Sequence, residues 1–501
     1  MSRALYGARA GEEVQRGWLR TAEVPVAVYG LGKMGLPLAA VYAETTGNVT
    51  GVDIDEAVVG AINAGECPVE REPGLPELVA SLVSRGALAA TTDGAAAAAD
   101  ASLHVVIVPT LVEDGEPDLS AVQSVVRDVA AGLEAGDTVV FESTLPPGAT
   151  EDVLVPLLAA ESGLDPDAFG VAFCPERTSS GRALRDVRGT HPKVVGGTDP
   201  EATRVAELVY DEVVDNELVP VSDARTAEAV KVFEGLYRDA NIALANDLAR
   251  LADDLDVDVR EAIDAANTQP YCEIHTPGPG VGGHCIPYYP YFVLGWLDRD
   301  APLVGTAREV NDAMPAFVAD RVAEGLAAEE RASDGAEGGD DGENAAGDEP
   351  ARTDEREPAG ATGATDTADR SPEAGTSVRD EVPTFDPTAD SPAAGDEAPT
   401  FDPTAGGAAA DGPDATDFED LSGANVAVLG LTYRAGVKET RASPGVAVCE
   451  QLAERGATVH AADPLVDADG VPAKDVHVED LPVLDLDATD HRHYVVGRGW
   501  Q

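Results

Sequence analysis

Lysine is nearly missing from this chain. Only Lys33, Lys193, Lys231, Lys438 and Lys474 occur among 501 residues, against 92 Asp and Glu, and the formal net charge is −58. The low-complexity stretch 331–420 holds 25 Asp and Glu and 5 Arg, so most of the negative charge lies outside it. Many carboxylates with few lysines suit a protein kept soluble in concentrated salt, where self-repulsion is screened within a few ångströms. An acidic protein of ordinary salt is the plainer alternative. Either surface repels the phosphates of nucleic acids and of anionic membranes, which argues against both as partners. Long apolar runs are absent as well: none reaches 18 residues, which excludes a hydrophobic spanning helix. The first 22 residues are charged throughout and lack an apolar core, which argues against a secretory signal. Five scattered cysteines with no CxxC pair indicate neither a zinc site nor a disulfide framework. A reducing cytoplasm is the expected compartment.

What is present comes in blocks. A chain of 501 residues exceeds a single core and implies two or three domains. Pro25–Gly30 and Val49–Asp53 are short apolar strands around a glycine turn, and further apolar runs follow at Leu103–Val108 and Thr138–Phe141. Ala-rich helical segments such as Leu119–Leu133 lie between them. This alternation predicts a parallel sheet with helices on both faces. From about Ala224 to Ala266 the pattern becomes helical alone, with Val230, Phe233, Leu236 and Tyr237, then Ile242, Leu244 and Leu248, at helical spacing. A helix of that length would link two domains or pair with a second subunit. Residues 331–420 contain five large apolar or aromatic residues, too few to offset the entropy of ordering, and are expected to be disordered. They contain one repeat, Pro383–Ala389 and Pro399–Ala405, which reads as an interaction motif or as a duplication in a tolerant linker. Structure is expected to resume at Asn425–Gly430.

Gly30-Leu31-Gly32-Lys33-Met34-Gly35 is a GxGxxG turn between a strand and a helix. Its glycines permit a tight turn and let backbone approach a pyrophosphate at the helix N-terminus. The next strand ends at Asp53, near the spacing of a ribose-binding carboxylate. A carboxylate there repels a 2′-phosphate, so NAD is favoured over NADP. A glycine turn serving only helix packing is the alternative. The second strand-to-glycine turn reads Gly430-Leu431-Thr432-Tyr433. It lacks the motif, which argues against a second dinucleotide site and leaves room for a mononucleotide at that strand edge.

Cys285 lies among Gly278, Gly280, Gly282 and Gly283, with Pro277, Pro279 and Pro287 around it. Such a loop exposes backbone N–H groups and comes close to a ligand. Cysteine beside His284 in that setting is a candidate nucleophile. An isolated cysteine is otherwise a small buried apolar residue, a position that would not need this density of glycine. Lys231, on a partly apolar helical segment in a chain so poor in lysine, is a candidate for oxyanion stabilisation or proton exchange. A solvated helix face is the competing reading.

Taken together these segments resemble the UDP-glucose/GDP-mannose dehydrogenase family, in particular its branch acting on UDP-N-acetylmannosamine. The resemblance runs from about Val24 to Ala313 and resumes from Asn425 to about Asp467. It is carried by Gly30–Ala39, Glu142–Gly148, Phe173–Arg177, Tyr237–Asn246, the cysteine loop and Thr440–Pro444. The resemblance implies an α/β architecture: a Rossmann-like NAD-binding domain (23–218), a central helical domain with the cysteine loop (219–325), and a shortened Rossmann-like UDP-sugar-binding domain (421–501). An N-terminal extension (1–22) precedes them, and an acidic linker (326–420) that is not expected of the family interrupts them. It further implies a four-electron oxidation of a C6 alcohol by two NAD, with Cys285 forming a thiohemiacetal and then a thioester that is hydrolysed. Lys231 corresponds to a lysine that stabilises oxyanions, and Glu176 to a glutamate implicated in activating water. Gly30, Gly32, Lys33, Met34, Gly35, Asp53, Thr110 and Thr144 correspond to the cofactor site. Arg177, Thr178, Arg238 and Gly282 fall at substrate-contacting positions. Arg441 matches an arginine that reaches in from the third domain. The long helix corresponds to a homodimer-forming element.

Two positions depart from the family. Gly235 stands where an asparagine usually follows the lysine by four residues, and Tyr289 where an aspartate follows the cysteine by four. Either change bears on the second oxidation. UDP-glucose is the alternative substrate. A single-step NAD-dependent hydroxyacid dehydrogenase would also combine a Rossmann domain with a helical one, without needing Cys285. A catalytically silent nucleotide-binding protein is the third reading, motivated by Gly235 and Tyr289.

Overall fold

The computed structural model describes residues 3–179, 181–337, 420–434, 438–466, 476–478 and 495–496. Ten strands precede the long helix: β1 (Val26–Tyr29), β2 (Val49–Val52), β3 (Leu88–Thr91), β4 (Leu103–Val106), β5 (Leu111–Glu113), β6 (Glu116–Asp118), β7 (Thr138–Phe141), β8 (Gly170–Phe173), β9 (Lys193–Gly197) and β10 (Leu218–Pro220). Eight of them form one sheet in the order β10-β9-β8-β7-β4-β1-β2-β3, and β5 and β6 form a separate hairpin. Strand β1 is apolar at every position because the sheet is covered on both sides. Val26 and Val28 join a core with Leu36, Val79 and Val205, while Ala27 and Tyr29 join one with Val122, Phe141 and Leu158.

The alternation of strands and helices predicts a parallel sheet, but this sheet contains one antiparallel pairing. Strand β9 runs antiparallel to β8, and β10 follows β9. The connection from β8 passes through the short helix Ala183–Gly189 without crossing back to the amino edge. Strand β9 therefore starts at the carboxyl edge, which delivers Lys193 to the end of β7. The stretch 1–22, expected as an extension, contains the helix Glu12–Arg20. Leu5 and Leu19 are buried in the first core, and Arg16 and Arg20 pair with Glu212.

The helical region expected over 224–266 divides into Ala224–Leu255 and Val259–Ala266. Asp256 takes a left-handed conformation at φ 53° and ends the first helix. Asp258 starts the second by accepting from Arg260 N at 2.8 Å and Glu261 N at 3.2 Å, an N-cap. Beyond the cysteine loop, the helix Pro302–Glu337 continues past residue 326, where the acidic linker is expected to begin. The remainder of that stretch, with its two Pro-Thr-Phe-Asp-Pro copies, lies outside the described residues.

Strands β11 (Asn425–Leu429), β12 (Thr458–Ala462), β13 (Val476–Val478) and β14 (Val495–Val496) form a parallel sheet in the order β13-β12-β11-β14. The helix Pro444–Glu454 packs on it through Val448, Cys449 and Leu452. The chain divides into two units, 1–328 with 418–501, and 329–417. All five cysteines are free.

Candidate active site

The turn after β1 can be made only by glycine at two positions. Gly30 has φ +96°, and a Cβ on Gly35 would overlap the Gly30 carbonyl. The helix could not otherwise start so close to the strand. Gly32 faces open space, which is what a turn admitting a pyrophosphate requires. Asp53 sits behind it, accepting from Leu31 N at 2.8 Å and Asp55 N at 3.0 Å. The carboxylate is thereby fixed beside the turn, and the set fits a dinucleotide with free ribose hydroxyls. Thr110 and Thr144 are half-buried past the ends of β4 and β7, the strands next in order to β1. The Thr144 loop is tied to the long helix by Glu228, which accepts from Thr150 N at 2.8 Å and Thr150 Oγ1 at 2.6 Å. Burial pushes the Glu228 carboxyl up to about 7 against these hydrogen bonds.

Met34, in the glycine turn, receives the Thr178 hydroxyl at 3.1 Å. This contact links the cofactor turn to the Phe173–Thr178 segment, where Glu176 accepts from Thr178 N. Opposite stands Lys231, buried on the long helix. It donates to the Glu176 carbonyl, and its Nζ lies 3.5 Å from Glu176 Oε2 and 5.9 Å from the centre of the Tyr289 ring. Burial alone would push the Lys231 ammonium down. Glu176, then Tyr289 and Cys285, outweigh it and hold the ammonium above its ordinary range. Burial would likewise push Glu176 up, but Lys231, Thr178 and Lys193 keep its carboxyl below the usual value. Both groups are therefore ionised near neutrality. Cys285 is exposed beside them, and its carbonyl receives Tyr288 N and Tyr289 N at 3.0 Å.

The third domain closes over the cysteine loop. Gly283 N donates to Arg441 O at 3.3 Å, and a Cβ on Gly282 would strike Ala442, Pro444 and Tyr433. Glu439 joins both halves of the site, pairing with Lys33 at 3.0 Å and with the His284 ring. Burial raises the Glu439 carboxyl, but Lys33 and His284 more than offset this and hold it low. Arg441, Lys33, Lys438 and Asn311 line a cavity of about 980 Å³, at the upper end of small-molecule sites. Arg177 and Arg238 have partners of their own. Arg177 donates to Glu234 at 3.2 Å and Pro192 O at 2.9 Å, and Arg238 is exposed, its charge falling on His275.

Sequence reasoning missed the supports. Lys193 meets buried Glu142 at 2.7 Å, Tyr210 also donates to Glu142, and Lys193 reaches Pro175 O at 3.4 Å. The scarcity of lysine was the available signal. Asp239 pairs with Arg308 and accepts from Asn311 at 2.9 Å; Asn311 in turn accepts from Asn246, which takes Gly278 N at 2.8 Å. This buried chain anchors the start of the cysteine loop to two helices. Asp239 and Asn246 fall inside the Tyr237–Asn246 motif, but Arg308 and Asn311 come from a helix that gave no sign of it.

The glycine turn with Asp53 fixed behind it, together with the buried Lys231–Glu176 pair, fits one class of protein, a NAD-dependent dehydrogenase. Models of three domains match the chain, the NAD-binding domain over 24–214, the central domain over 225–313 and the UDP-binding domain over 427–500. The chain belongs to the UDP-glucose/GDP-mannose dehydrogenase family and is a nucleotide-sugar dehydrogenase. Over 304 residues it is 43% identical to an NDP-N-acetyl-D-galactosaminuronic acid dehydrogenase of Ralstonia nicotianae, covering 59% of this chain and 70% of the relative. It is 38% identical to a UDP-N-acetyl-D-mannosamine dehydrogenase of Pyrococcus horikoshii, covering 60% and 71%. A solved UDP-D-ManNAc dehydrogenase from Pyrococcus horikoshii superposes with a TM-score of 0.68 at 28% identity, over 95% of each chain. No helix among the described residues is long and apolar enough to cross a membrane.

Proposed function

We propose that this enzyme oxidises the C6 alcohol of UDP-N-acetyl-D-mannosamine to the carboxylate in two NAD-dependent steps. The observation that carries the reading is the exposed Cys285 thiol beside the buried, ionised Lys231–Glu176 pair. Single-step hydride transfer would need no such thiol. Held by the glycine turn and Asp53, NAD would supply the hydride acceptor for each oxidation. Lys231 holds the alkoxide from which the first hydride departs, leaving an aldehyde. The Cys285 thiol gives up its proton to water as its sulfur forms a bond to the aldehyde carbon, and the carbonyl pair moves to oxygen beside Lys231. Departure of the second hydride restores the carbonyl as a thioester. Water, positioned through Glu176, adds to it; the C–S bond breaks, the thiol is regenerated and a carboxylate leaves. Gly30, Gly32, Lys33, Met34, Gly35, Asp53, Thr110 and Thr144 are assigned to the cofactor. Arg177, Thr178, Arg238, Gly282 and Arg441 are assigned to the sugar nucleotide. The proposed setting is the cytoplasm, where a thiol remains reduced.

The test is a panel of nucleotide sugars in high salt. UDP-N-acetylmannosamine is expected to yield its uronate and two NADH per sugar. The name of the Ralstonia relative makes UDP-N-acetylgalactosamine the second substrate to try, ahead of UDP-glucose. A ratio of one NADH would indicate single-step chemistry, and tight binding without NADH a silent protein.

The proposed assembly is a homodimer through the helix Ala224–Leu255. Phe233, Tyr237, Leu244, Leu251 and Leu255 are all exposed. At about 100° per residue they fall within about 40° of one another, forming one apolar stripe along a 32-residue helix. A stripe of this kind on a soluble helix marks a contact surface, and a second copy brings an identical stripe. Leu244→Asp should halve the mass in sedimentation velocity. A wild-type protein that sediments as a monomer would overturn the assignment.

A further inference from the structure

The two departures from the family pattern touch each other. Gly235 lies one helical turn beyond Lys231 and is buried. The ring that covers it belongs to Tyr289. A Cβ on residue 235 would overlap Tyr289 Cδ2 and Cγ and lie 2.7 Å from its Cβ. Any side chain here would expel the ring, and Gly235 is the one glycine of the helix Ala224–Leu255. Tyr289 is itself only 7% exposed, packed edge-on to Phe292 with centroids 6.5 Å apart. Its backbone N–H is held by the Cys285 carbonyl at 3.0 Å. Lys231 Nζ lies 5.9 Å from the centre of its ring, and its phenol interacts electrostatically with both Lys231 and Cys285. A phenol in the neighbourhood of the thiol and the ammonium is more than packing requires, because phenylalanine would fill the same space above Gly235.

We propose that Tyr289 supplies, beside Lys231, a second hydrogen-bond donor to the oxyanions formed on Cys285, and that Gly235 is present to admit its ring. The assignment rests on the two-step reading above. Burial works against ionisation of the phenol; Lys231 opposes this, but Cys285 and Glu176 reinforce it and the phenol is held well above its ordinary range. It therefore remains O–H, a donor and not a base. When the sulfur adds to the aldehyde, the new oxyanion has Lys231 on one side and the phenol on the other. The phenol keeps its proton throughout. When the second hydride leaves, the same oxygen becomes the thioester carbonyl and the hydrogen bond weakens. Addition of water repeats the cycle. Donors aimed at charge that develops only along the reaction path lower its barriers without tightening substrate binding.

Tyr289→Phe keeps the ring over Gly235 and removes only the donor. With the sugar that wild type converts to a carboxylate, kcat for carboxylate formation should fall roughly 100-fold, with KM and the unfolding temperature unchanged. Aldehyde should become trappable by hydroxylamine, because the first oxidation outruns the second. Gly235→Asn alone should expel the ring and be inactive. Gly235→Asn with Tyr289→Asp should recover activity above either single variant, since the two positions share one volume. Tyr289→Phe with wild-type kcat, or with kcat lost only in proportion to a lower unfolding temperature, would overturn the assignment and leave two-step oxidation standing. A wild-type enzyme that forms one NADH per sugar would overturn both.

Discussion

With Cys285 replaced by alanine, carboxylate formation is expected to fall by about 10⁴-fold or more, while the first hydride transfer persists. The loss is expected to be selective because, in the proposed mechanism, only the second half of the reaction uses the sulfur. The first half rests on Lys231, whose contact with Glu176 at 3.5 Å does not involve the thiol. Binding should also survive. The cysteine loop is anchored through Gly278 to Asn246 and through Gly283 to Arg441, so its path does not depend on the exposed side chain. The variant should yield one NADH per sugar and an aldehyde that hydroxylamine captures. Retention of two NADH per sugar would remove the covalent intermediate from the mechanism.

The reach of the sequence in this molecule depended on how many constraints each residue carried. Gly30, Gly35 and Asp53 were legible because the backbone geometry of one tight turn bears on all three positions. The cysteine loop was legible for a similar reason: glycine is dense there because Gly282 and Gly283 lie against the third domain. Lysine scarcity proved more informative than it looked. Lys33, Lys193, Lys231 and Lys438 all stand at the site or its cavity, and only Lys231 and Lys33 were singled out. Lys193 escaped notice because its position depends on β9 running antiparallel, a reversal that alternation of strands and helices does not encode. The Asp239–Arg308–Asn311–Asn246 chain joins residues about 70 positions apart, and no local pattern announces such a contact. The break at Asp256 was missed because apolar spacing continues across it. Gly235 and Tyr289 were visible as two separate departures. Only the packing shows that they are one change.

Lys231→Met should lower kcat by about 10³-fold and, unlike the cysteine variant, should stop both oxidations. It should also move the pH dependence in a defined direction. In the wild type burial raises the Glu176 carboxyl, and Lys231 is the largest of the groups that bring it back down. Without the ammonium, the largest influence opposing burial is gone, and Glu176 titrates at higher pH than in the wild type. The acid limb of the residual rate should shift upward accordingly. Stability should follow the same charge. A carboxylate held below its unfolded value stabilises the fold above that value, about 4.3, and this contribution is lost as pH falls through the folded one. Lys231, held above its ordinary range, stabilises the fold at all pH values below about 10.4 and loses that contribution only in strong alkali. Removing it leaves a buried carboxylate without its main partner, at a cost of about 3 kcal/mol near neutral pH. Because the variant's Glu176 can protonate in acid and shed its charge, the deficit should shrink as pH falls from 7 towards 4. Thermal unfolding of both proteins across that range measures it directly. A deficit that stays constant or widens in acid would mean that Lys231 and Glu176 are not the coupled pair on which both oxidations depend.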